Sequence, residues 1–312
     1  MTSGVKRVLV AGELNVDLIL QGYQAFPVPG KEVLVDDFVM TLGSASAICA
    51  MGLARLGASV AFLSVVGDDP WGAYCVEAMR GAGIDVSRVA VDSTLKTGVT
   101  VSLTSANRDR ALVSYLGSIA ALEAAAITDD AFRGFDHLHM SSYFLQKRLR
   151  PSFAAVFKRA RAAGLSTSLD PGFDPSERWG ADLKDTLREV DLFFPNEVEL
   201  RGITGTGDVR EGLKRLENGR TRIIAKLGPR GAAALVDGAL LEVPAFPVEP
   251  VDTTGAGDSF DAGFLYAWLE GLPLAECLRW GAACGSLSTR GSGGTGHQAH
   301  RAEAERLMSG RP

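Results

Sequence analysis

Short apolar runs and segments of helical periodicity alternate along most of the chain. Residues 6–12 form an apolar run that ends in Gly12, and residues 59–66 form another, so both predict buried strands. Between them, Ser44 can cap a helix that continues to Leu56 and ends at Gly57. Further strands are predicted over 137–140, 165–170, 191–194, 222–227 and 231–236, and further helices over 70–79, 151–163, 256–269, 273–288 and 301–308.

This alternation favours an α/β fold, in which helices cover both faces of a mostly parallel central sheet. Two β-rich segments, about 13–42 and 97–117, do not follow it, and the second predicts a hairpin around a polar turn at 107–110. We expect these segments to form a small accessory sheet, a lid over the carboxyl ends of the parallel strands, where ligands of such folds bind. Because no linker-like stretch interrupts the sequence, residues 1–312 are predicted to form a single domain.

Composition limits where the protein works and what it binds. Of the 312 residues, 46% are hydrophobic and 22% are charged, as is typical of a globular protein, and the apolar runs are too short to span a bilayer. The net charge of −5 argues against a general nucleic-acid surface. Four cysteines without a CxxC pair predict buried thiols and a cytoplasmic location.

The most informative stretch is residues 251–260, VDTTGAGDSF, where small residues precede an acid and an apolar helical run follows. A helix that begins here would direct unpaired backbone N–H groups and the positive end of its dipole at an anion. Gly255 and Gly257, with Ala256 between them, would let a ligand approach the backbone closely. Asp258 would stand in the first turn and accept a proton, so the segment suits phosphoryl transfer to a hydroxyl.

Asn15 and Asp17 follow the first predicted strand and therefore lie at its carboxyl end. Their side chains together can hydrogen-bond a vicinal diol. Taken alone, the pair fits ordinary turn chemistry better, because both residue types favour turns.

The 251–260 stretch matches without departure the second signature of the ribokinase family, also called the PfkB carbohydrate kinases, and the resemblance covers about residues 8–294. It implies the ribokinase-like three-layer fold, with ATP and Mg²⁺ as cofactors. It also implies that Asp258 is the general base and that the N–H groups of residues 255–257 hold the transferred phosphoryl group. Asn15 and Asp17 stand where the family reads sugar hydroxyls.

The family's first signature is matched with departures. Gly43 and Ser44 stand where the family has a glycine pair that opens a helix, and both are predicted to contact the acceptor. Ile48 replaces the signature's asparagine, and Ala45 stands where ribokinase carries a lysine. The missing polar contact argues against ribose as the acceptor.

Two further motif matches imply nucleotide contacts. Asn196 and Glu199 resemble the family's NxxE motif, which organises magnesium and phosphate partly through water, and carboxylate with retained water is reasonable Mg²⁺ chemistry. Lys226, Gly228 and Gly231 resemble the family's K-x-G-x-x-G strand end, which lies against the nucleotide. Without the resemblance, these motifs predict only a capped helix and a strand-to-turn junction.

The remaining candidates depend on single positions. Asp252 and Thr254 match a monovalent-cation site of ribokinase relatives, which adds K⁺ as a candidate cofactor, and Ala282 replaces an asparagine near the adenine. Arg110 fits either a solvated turn or a contact to an anionic group on the acceptor. Tyr143, after the strand at 137–140, is a further candidate acceptor contact.

We therefore predict an ATP-dependent kinase that phosphorylates a hydroxyl of a sugar or sugar-like molecule. We also expect a homodimer paired through the lid, whose edge strands need covering. A nucleoside kinase or a phosphosugar kinase of the same fold stays open, and a non-catalytic ligand sensor is a less favoured alternative. The lid offers side chains for either alternative acceptor, namely Arg108, Arg110, Phe26, Phe38 and Tyr115.

Overall fold

The computed structural model describes residues 5–105 and 110–310. The strands are β1 (Arg7–Ala11), β2 (Asn15–Tyr23), β3 (Asp37–Leu42), β4 (Ser59–Gly67), β5 (Asp85–Asp92), β6 (Gly98–Ser105), β7 (Arg110–Tyr115), β8 (His137–Met140), β9 (Ser166–Leu169), β10 (Leu192–Phe193), β11 (Arg222–Lys226), β12 (Ala232–Val236) and β13 (Ala239–Val243). The helices are α1 (Ala45–Leu56), α2 (Pro70–Gly81), α3 (Phe153–Ala162), α4 (Asp182–Leu187), α5 (Glu197–Thr204), α6 (Val209–Leu216), α7 (Ala256–Leu269), α8 (Leu274–Ser288) and α9 (Arg301–Met308).

Within these ranges, a nine-stranded sheet has the order β13-β12-β11-β10-β9-β8-β1-β4-β5. The strands from β11 to β5 pair in parallel, and β12 and β13 add an antiparallel edge. Alternate residues of β1 enter different cores: Val8 and Val10 pack with α1, α7 and α8, while Leu9 and Ala11 pack with α3 and α6. Helices therefore cover both faces, which confirms the three-layer α/β prediction.

The sequence pattern does not predict four of these elements, namely β5, β13, α4 and α6. Two of them are strands at the edges of the large sheet, where alternating exposure leaves few apolar residues to form a run. The other two are helices of six and eight residues with a narrow apolar face. Elements that bury little apolar surface leave a weak periodic signal in the sequence.

A separate four-stranded sheet, with the order β3-β2-β6-β7, is built from the two β-rich segments. β2 pairs antiparallel with β3 and parallel with β6, and β6 pairs antiparallel with β7. The predicted hairpin arms are therefore present, while Arg108 and Asp109 of its turn lie outside the described residues. Gln21 Nε2 donates to Ser292 Oγ at 3.2 Å, which ties this sheet to the segment that follows α8.

Two other expectations concern the four cysteines and the ability of the helices to cross a membrane. Cys49, Cys75, Cys277 and Cys284 are all buried and free. Of the helices in the described ranges, none combines the length and apolarity needed to cross a bilayer.

Candidate active site

The start of α7 is the segment predicted to cradle an anion. Gly255 precedes the helix with φ 71° and ψ 7°, a left-handed conformation that favours glycine. A Cβ there would also lie 2.7 Å from Gly294 Cα, and a Cβ on Gly257 would lie 3.3 Å from Lys226 Nζ. Asp258 stands in the first turn of the helix. Because Gly255 and Gly257 have no side chain, a phosphoryl group could approach the backbone beside this acid.

Asp258 has the electrostatic setting of a general base. Burial raises the pKa of its carboxyl to about 7, an effect that Asp170, Glu13 and Asp17 strengthen and Lys226 opposes. A base whose pKa lies near the working pH combines a useful ionised fraction with real affinity for a proton.

Asn15, Asp17 and Gly43 meet at the carboxyl end of β1 and the edge of the small sheet. Asn15 Nδ2 donates to Asp17 Oδ1 at 3.1 Å. A Cβ on Gly43 would lie 2.1 Å from Asp17 Oδ1 and 2.6 Å from Asn15 Nδ2, so the pair needs this glycine. Burial raises the pKa of Asp17 to about 6, although its bond from Asn15 and the charge of Arg110 lower it.

Ser44 adopts φ 77° and ψ 126°, which is unusual for a residue with a side chain. Its Oγ donates to the Glu13 carbonyl oxygen at 2.5 Å and accepts from Ala47 N at 3.1 Å, as the N-cap of α1. The residue therefore keeps the backbone turn of a glycine pair and uses its hydroxyl within the chain.

Glu13 is a buried acid that sequence reasoning missed. Its carboxylate accepts from Ser46 N at 3.2 Å, Ser46 Oγ at 2.8 Å and Ser142 Oγ at 2.8 Å, with Gln146 Nε2 at 3.3 Å. The network joins three segments beneath Asn15. A lone acid next to glycine gave no signal, because its partners are distant in sequence.

Arg110 reaches from β7 to the segment before α7. Its Nη1 donates to Thr254 Oγ1 at 2.6 Å, and Thr254 Oγ1 in turn donates to Asp252 Oδ1 at 2.7 Å. Asp252 Oδ2 accepts from Gly293 N at 2.9 Å. No carboxylate among the described residues lies within 4.0 Å of the guanidinium, so it forms no ion pair there.

Asn196 and Glu199 form a capping box at the start of α5. Glu199 accepts from Asn196 N at 2.8 Å and from Asn196 Nδ2 at 2.7 Å, and Glu199 N donates to Asn196 Oδ1 at 2.9 Å. Burial raises the pKa of Glu199 to about 8, assisted by the charge of Asp170. Because both carboxylate oxygens are engaged, the pair fits a magnesium ion held through water better than one bound directly.

Lys226 lies at the end of β11, where its side chain is buried. Its Nζ donates to Asp170 Oδ2 at 2.5 Å and to Asp261 Oδ2 at 3.2 Å, directly beneath the cradle at Gly257. The sequence placed this lysine against the nucleotide; the structure gives it two acidic partners that sequence reasoning missed. They come from the end of β9 and from the second turn of α7, so no local motif joins them.

The two glycines of the same motif shape the turn after β11. Gly231, with φ 94°, would place a Cβ 1.9 Å from the Val243 carbonyl oxygen, so the close approach of β13 requires glycine. Gly228, with φ 57°, has no atom within 4 Å of such a Cβ. These positions lie on the nucleotide side in the sequence-based interpretation, which stays a prediction.

Tyr143 does not line the site. Only 1% of it is exposed, its ring packs edge-on against Phe144 and Phe153, and its hydroxyl donates to Asp182 Oδ2 at 2.9 Å. The prediction of an acceptor contact is wrong in this structure, because the chain turns after β8 and directs the ring into the core. Ser142, one residue earlier, is the residue that points to Glu13.

Comparison with known proteins gives a consistent result. Residues 5–300 match the family model described as pfkB family carbohydrate kinase. The chain is 30% identical to an ATP-dependent ribose-1-phosphate kinase of Halopiger xanaduensis, over 90% of this chain and 91% of that protein. It is 31% identical to a fructokinase of Klebsiella pneumoniae, over 92% and 94%. A solved structure of an E. coli protein, described as a putative ribokinase II in complex with ATP and Mg²⁺, has the same fold. Its TM-score to this chain is 0.83 at 22% identity, and the match covers 98% of this chain and 100% of that one.

Proposed function

Because the chain belongs to the pfkB family of carbohydrate kinases, which are phosphotransferases acting on sugar hydroxyls, we propose that it is an ATP-dependent sugar kinase with Asp258 as its general base. The observation that carries this proposal is the glycine-lined start of α7, which places an acid of raised pKa beside an anion cradle. An intact cradle and base have no use in a ligand sensor, so the enzyme is favoured over that alternative.

The proposed reaction assigns a role to each of these groups. Asn15 and Asp17 hold the acceptor, and Asp258 takes the proton of its hydroxyl as the oxygen attacks the γ-phosphorus of ATP. The bond from this phosphorus to the bridging oxygen breaks, and ADP leaves with its electron pair. The N–H groups of residues 255–257 stabilise the charge on the transferred oxygens.

Mg²⁺ bound with the nucleotide would neutralise phosphate charge, held through water by Asn196 and Glu199. The E. coli structural relative contains both ATP and Mg²⁺, which supports this assignment. Both oxygens of Asp252 accept hydrogen bonds from the chain. A K⁺ requirement at Asp252 and Thr254 stays a prediction.

A phosphorylated sugar is the second candidate acceptor, and Arg110 is the observation that favours it. The guanidinium lies at the mouth of the site with a neutral hydroxyl as its partner, so it is able to hold an anionic group in a bidentate way. The Halopiger relative is described as acting on ribose 1-phosphate. Asn15 and Asp17 are suited to the hydroxyls of either kind of acceptor. We rank neutral sugars first because hydroxyl recognition needs only this pair, whereas a phosphorylated sugar also needs Arg110.

We also propose that the active form is a homodimer paired through the small sheet. Its outer face exposes apolar side chains, including Phe38 at 54%, Val113 at 60% and Tyr115 at 54%. An apolar sheet face of this kind needs covering, and a second copy supplies an identical one. The buried, unpaired cysteines fit the reducing cytoplasm as its location.

The deciding experiment measures ADP release from Mg·ATP with a panel of acceptors: ribose, fructose, 2-keto-3-deoxygluconate, fructose 6-phosphate, ribose 1-phosphate, adenosine and other nucleosides. We expect one acceptor class to stimulate release and Asp258→Asn to lower turnover about 10² to 10⁴-fold. Asp208→Asn is the matched control, because it makes the same chemical change at the N-cap of α6, where asparagine caps as well as aspartate. Near-normal turnover in Asp258→Asn would refute its role as base, and ATP binding without any acceptor stimulation would favour the sensor.

A further inference from the structure

A buried lysine and two buried aspartates lie beneath the anion cradle. Lys226 Nζ is 2.5 Å from Asp170 Oδ2 and 3.2 Å from Asp261 Oδ2. Carboxylate oxygens of Asp170, Asp258 and Asp261 lie within 4.8 Å of one another. One ammonium therefore faces three carboxyl groups where little water screens them, and three ionised carboxylates would leave negative charge unbalanced.

The two aspartates that contact Lys226 differ in their hydrogen bonds. Asp170 accepts the lysine on one oxygen and Gly172 N, at 2.8 Å, on the other. Asp261 has no exposed surface, accepts the lysine at a longer distance on Oδ2, and leaves Oδ1 without a partner. A buried ionised oxygen without a donor is costly, whereas a protonated one becomes a donor itself.

We propose that Asp261 is a neutral carboxylic acid at physiological pH and donates its proton to Asp170. Lys226 and Asp170 then form a balanced ion pair, and the three residues form a positioning layer beneath Asp258. Asp261 lies three residues after Asp258 on α7, so Lys226 contacts the same helix that carries Asp258. The positioning role of these three residues rests on the proposed role of Asp258 as general base.

The electrostatic surroundings agree with this arrangement. Burial raises the pKa of Asp261 well above its usual range, against the opposing charge of Lys226. Burial alone would also raise the pKa of Asp170, but Lys226 and a hydrogen bond from Asp261 hold it below its usual value. The titratable groups that interact electrostatically with Asp258 are Asp170, Lys226, Glu199, Glu13, Asp17, Asp261 and, from α1, Cys49. Lys226 is the only cation of that set, so it is the group that opposes the rise in the pKa of Asp258.

Infrared spectroscopy tests the protonation without requiring any enzyme activity. The difference spectrum of wild type minus Asp261→Asn at pH 7.5 should contain the C=O stretch of a protonated carboxylic acid, displaced in D₂O. Carboxyl groups that the substitution does not affect contribute equally to both spectra and cancel. A difference spectrum that shows only carboxylate bands overturns the proposal, whatever the fate of the proposed kinase activity.

The pH profile of kcat/KM tests the positioning role. Asp261→Asn replaces a neutral acid by a neutral amide. We therefore expect the low-pH limb of the kcat/KM profile of this variant to lie at the same pH as in wild type. Lys226→Met should move that limb to higher pH by about one unit or more, because it removes the cation facing Asp258. An acid limb that moves to lower pH in Asp261→Asn would mean that a negative charge was removed, and would overturn the proposal. If Lys226→Met fails to fold, the infrared measurement and Asp261→Asn still decide.

Discussion

At the residue scale, the proposed acceptor side of the site depends on two positions where backbone conformation and side-chain size are decisive. Gly43 leaves the space that Asp17 and Asn15 occupy. Ser44 holds a backbone conformation that favours glycine and offsets it with two hydrogen bonds. The sequence alone identified both positions, through their place in a family motif, but it did not show what either residue touches.

Gly43→Ala should impair acceptor binding specifically. The added Cβ would lie 2.1 Å from Asp17 Oδ1, closer than such atoms ever approach, so the Asn15–Asp17 pair has to move. We expect KM for the acceptor to rise at least about tenfold, since a misplaced contact of this kind costs about 1.4 kcal/mol or more, while KM for ATP changes little. Steady-state kinetics with each substrate varied in turn measures both.

Gly81→Ala is the matched control for this change. A Cβ there meets no atom within 4 Å, and the residue ends α2 without a left-handed conformation. It should therefore behave as wild type. An unchanged acceptor KM in Gly43→Ala would show that the acceptor is not held by Asn15 and Asp17.

At the element scale, the small sheet has one mixed face, which carries its polar candidate residues, and one mainly apolar face. Asp17 pairs with Thr41 and Thr100, and Thr104 pairs with Arg110, so these polar residues share the face toward α7. The opposite face carries Leu18, Leu20, Phe38, Met40, Val101, Val113 and Tyr115, which the same register brings together. The sequence predicted two β-rich segments here, but the parallel pairing of β2 with β6 is visible only in the tertiary structure.

Val113→Lys should abolish the dimer, because it places a charge on the exposed apolar face. Leu112→Lys is the matched control, since Leu112 is 56% exposed on the neighbouring position of β7 and points to the other face. Light scattering coupled to size exclusion should give a dimeric mass for wild type and Leu112→Lys and a monomeric mass for Val113→Lys. A monomeric wild type would refute the lid dimer.

At the scale of the whole molecule, a buried polar ladder connects the central strands. His137 and His139 on β8 contact Ser166 and Ser168 on β9 at 2.7 Å, in parallel register, and His139 continues to Ser141 at 2.9 Å. Burial lowers the pKa of His137 to about 3 and that of His139 to about 4. Both rings are therefore neutral in the folded protein over a range where the unfolded chain protonates them.

Acidification should consequently destabilise the protein through these histidines. The folded pKa is depressed, so the stabilisation is fully present above pH 6.5 and is lost as the pH falls from 6.5 toward 4. For His139 alone the loss is about 3 kcal/mol, at 1.36 kcal/mol for each pH unit. Urea unfolding at several pH values should show His139→Gln losing less stability than wild type over this interval.

His297→Gln serves as the control, because His297 is exposed and lies outside the sheet. It should follow wild type at every pH. Equal acid sensitivity of wild type and His139→Gln would mean that the buried ring is already protonated or that the unfolded state protects it.

The sequence by itself determined the order of most elements, the anion cradle at 255–257 with its acid, and the Asn15–Asp17 pair, because each is encoded in residues close together in the chain. Helix caps such as Ser44 and Asp69 and terminators such as Gly57 act locally for the same reason.

Only the tertiary structure decided which distant residues complete the site. Glu13 meets Ser142, Arg110 reaches Thr254, and Lys226 joins Asp170 and Asp261 from three different elements. The tertiary structure also buries Tyr143 in the core, whereas the sequence had suggested a contact to the acceptor. Parallel strands gather their carboxyl ends at one edge regardless of separation in sequence, so the buried charges that shift the pKa of Asp258 come from positions that no local pattern links.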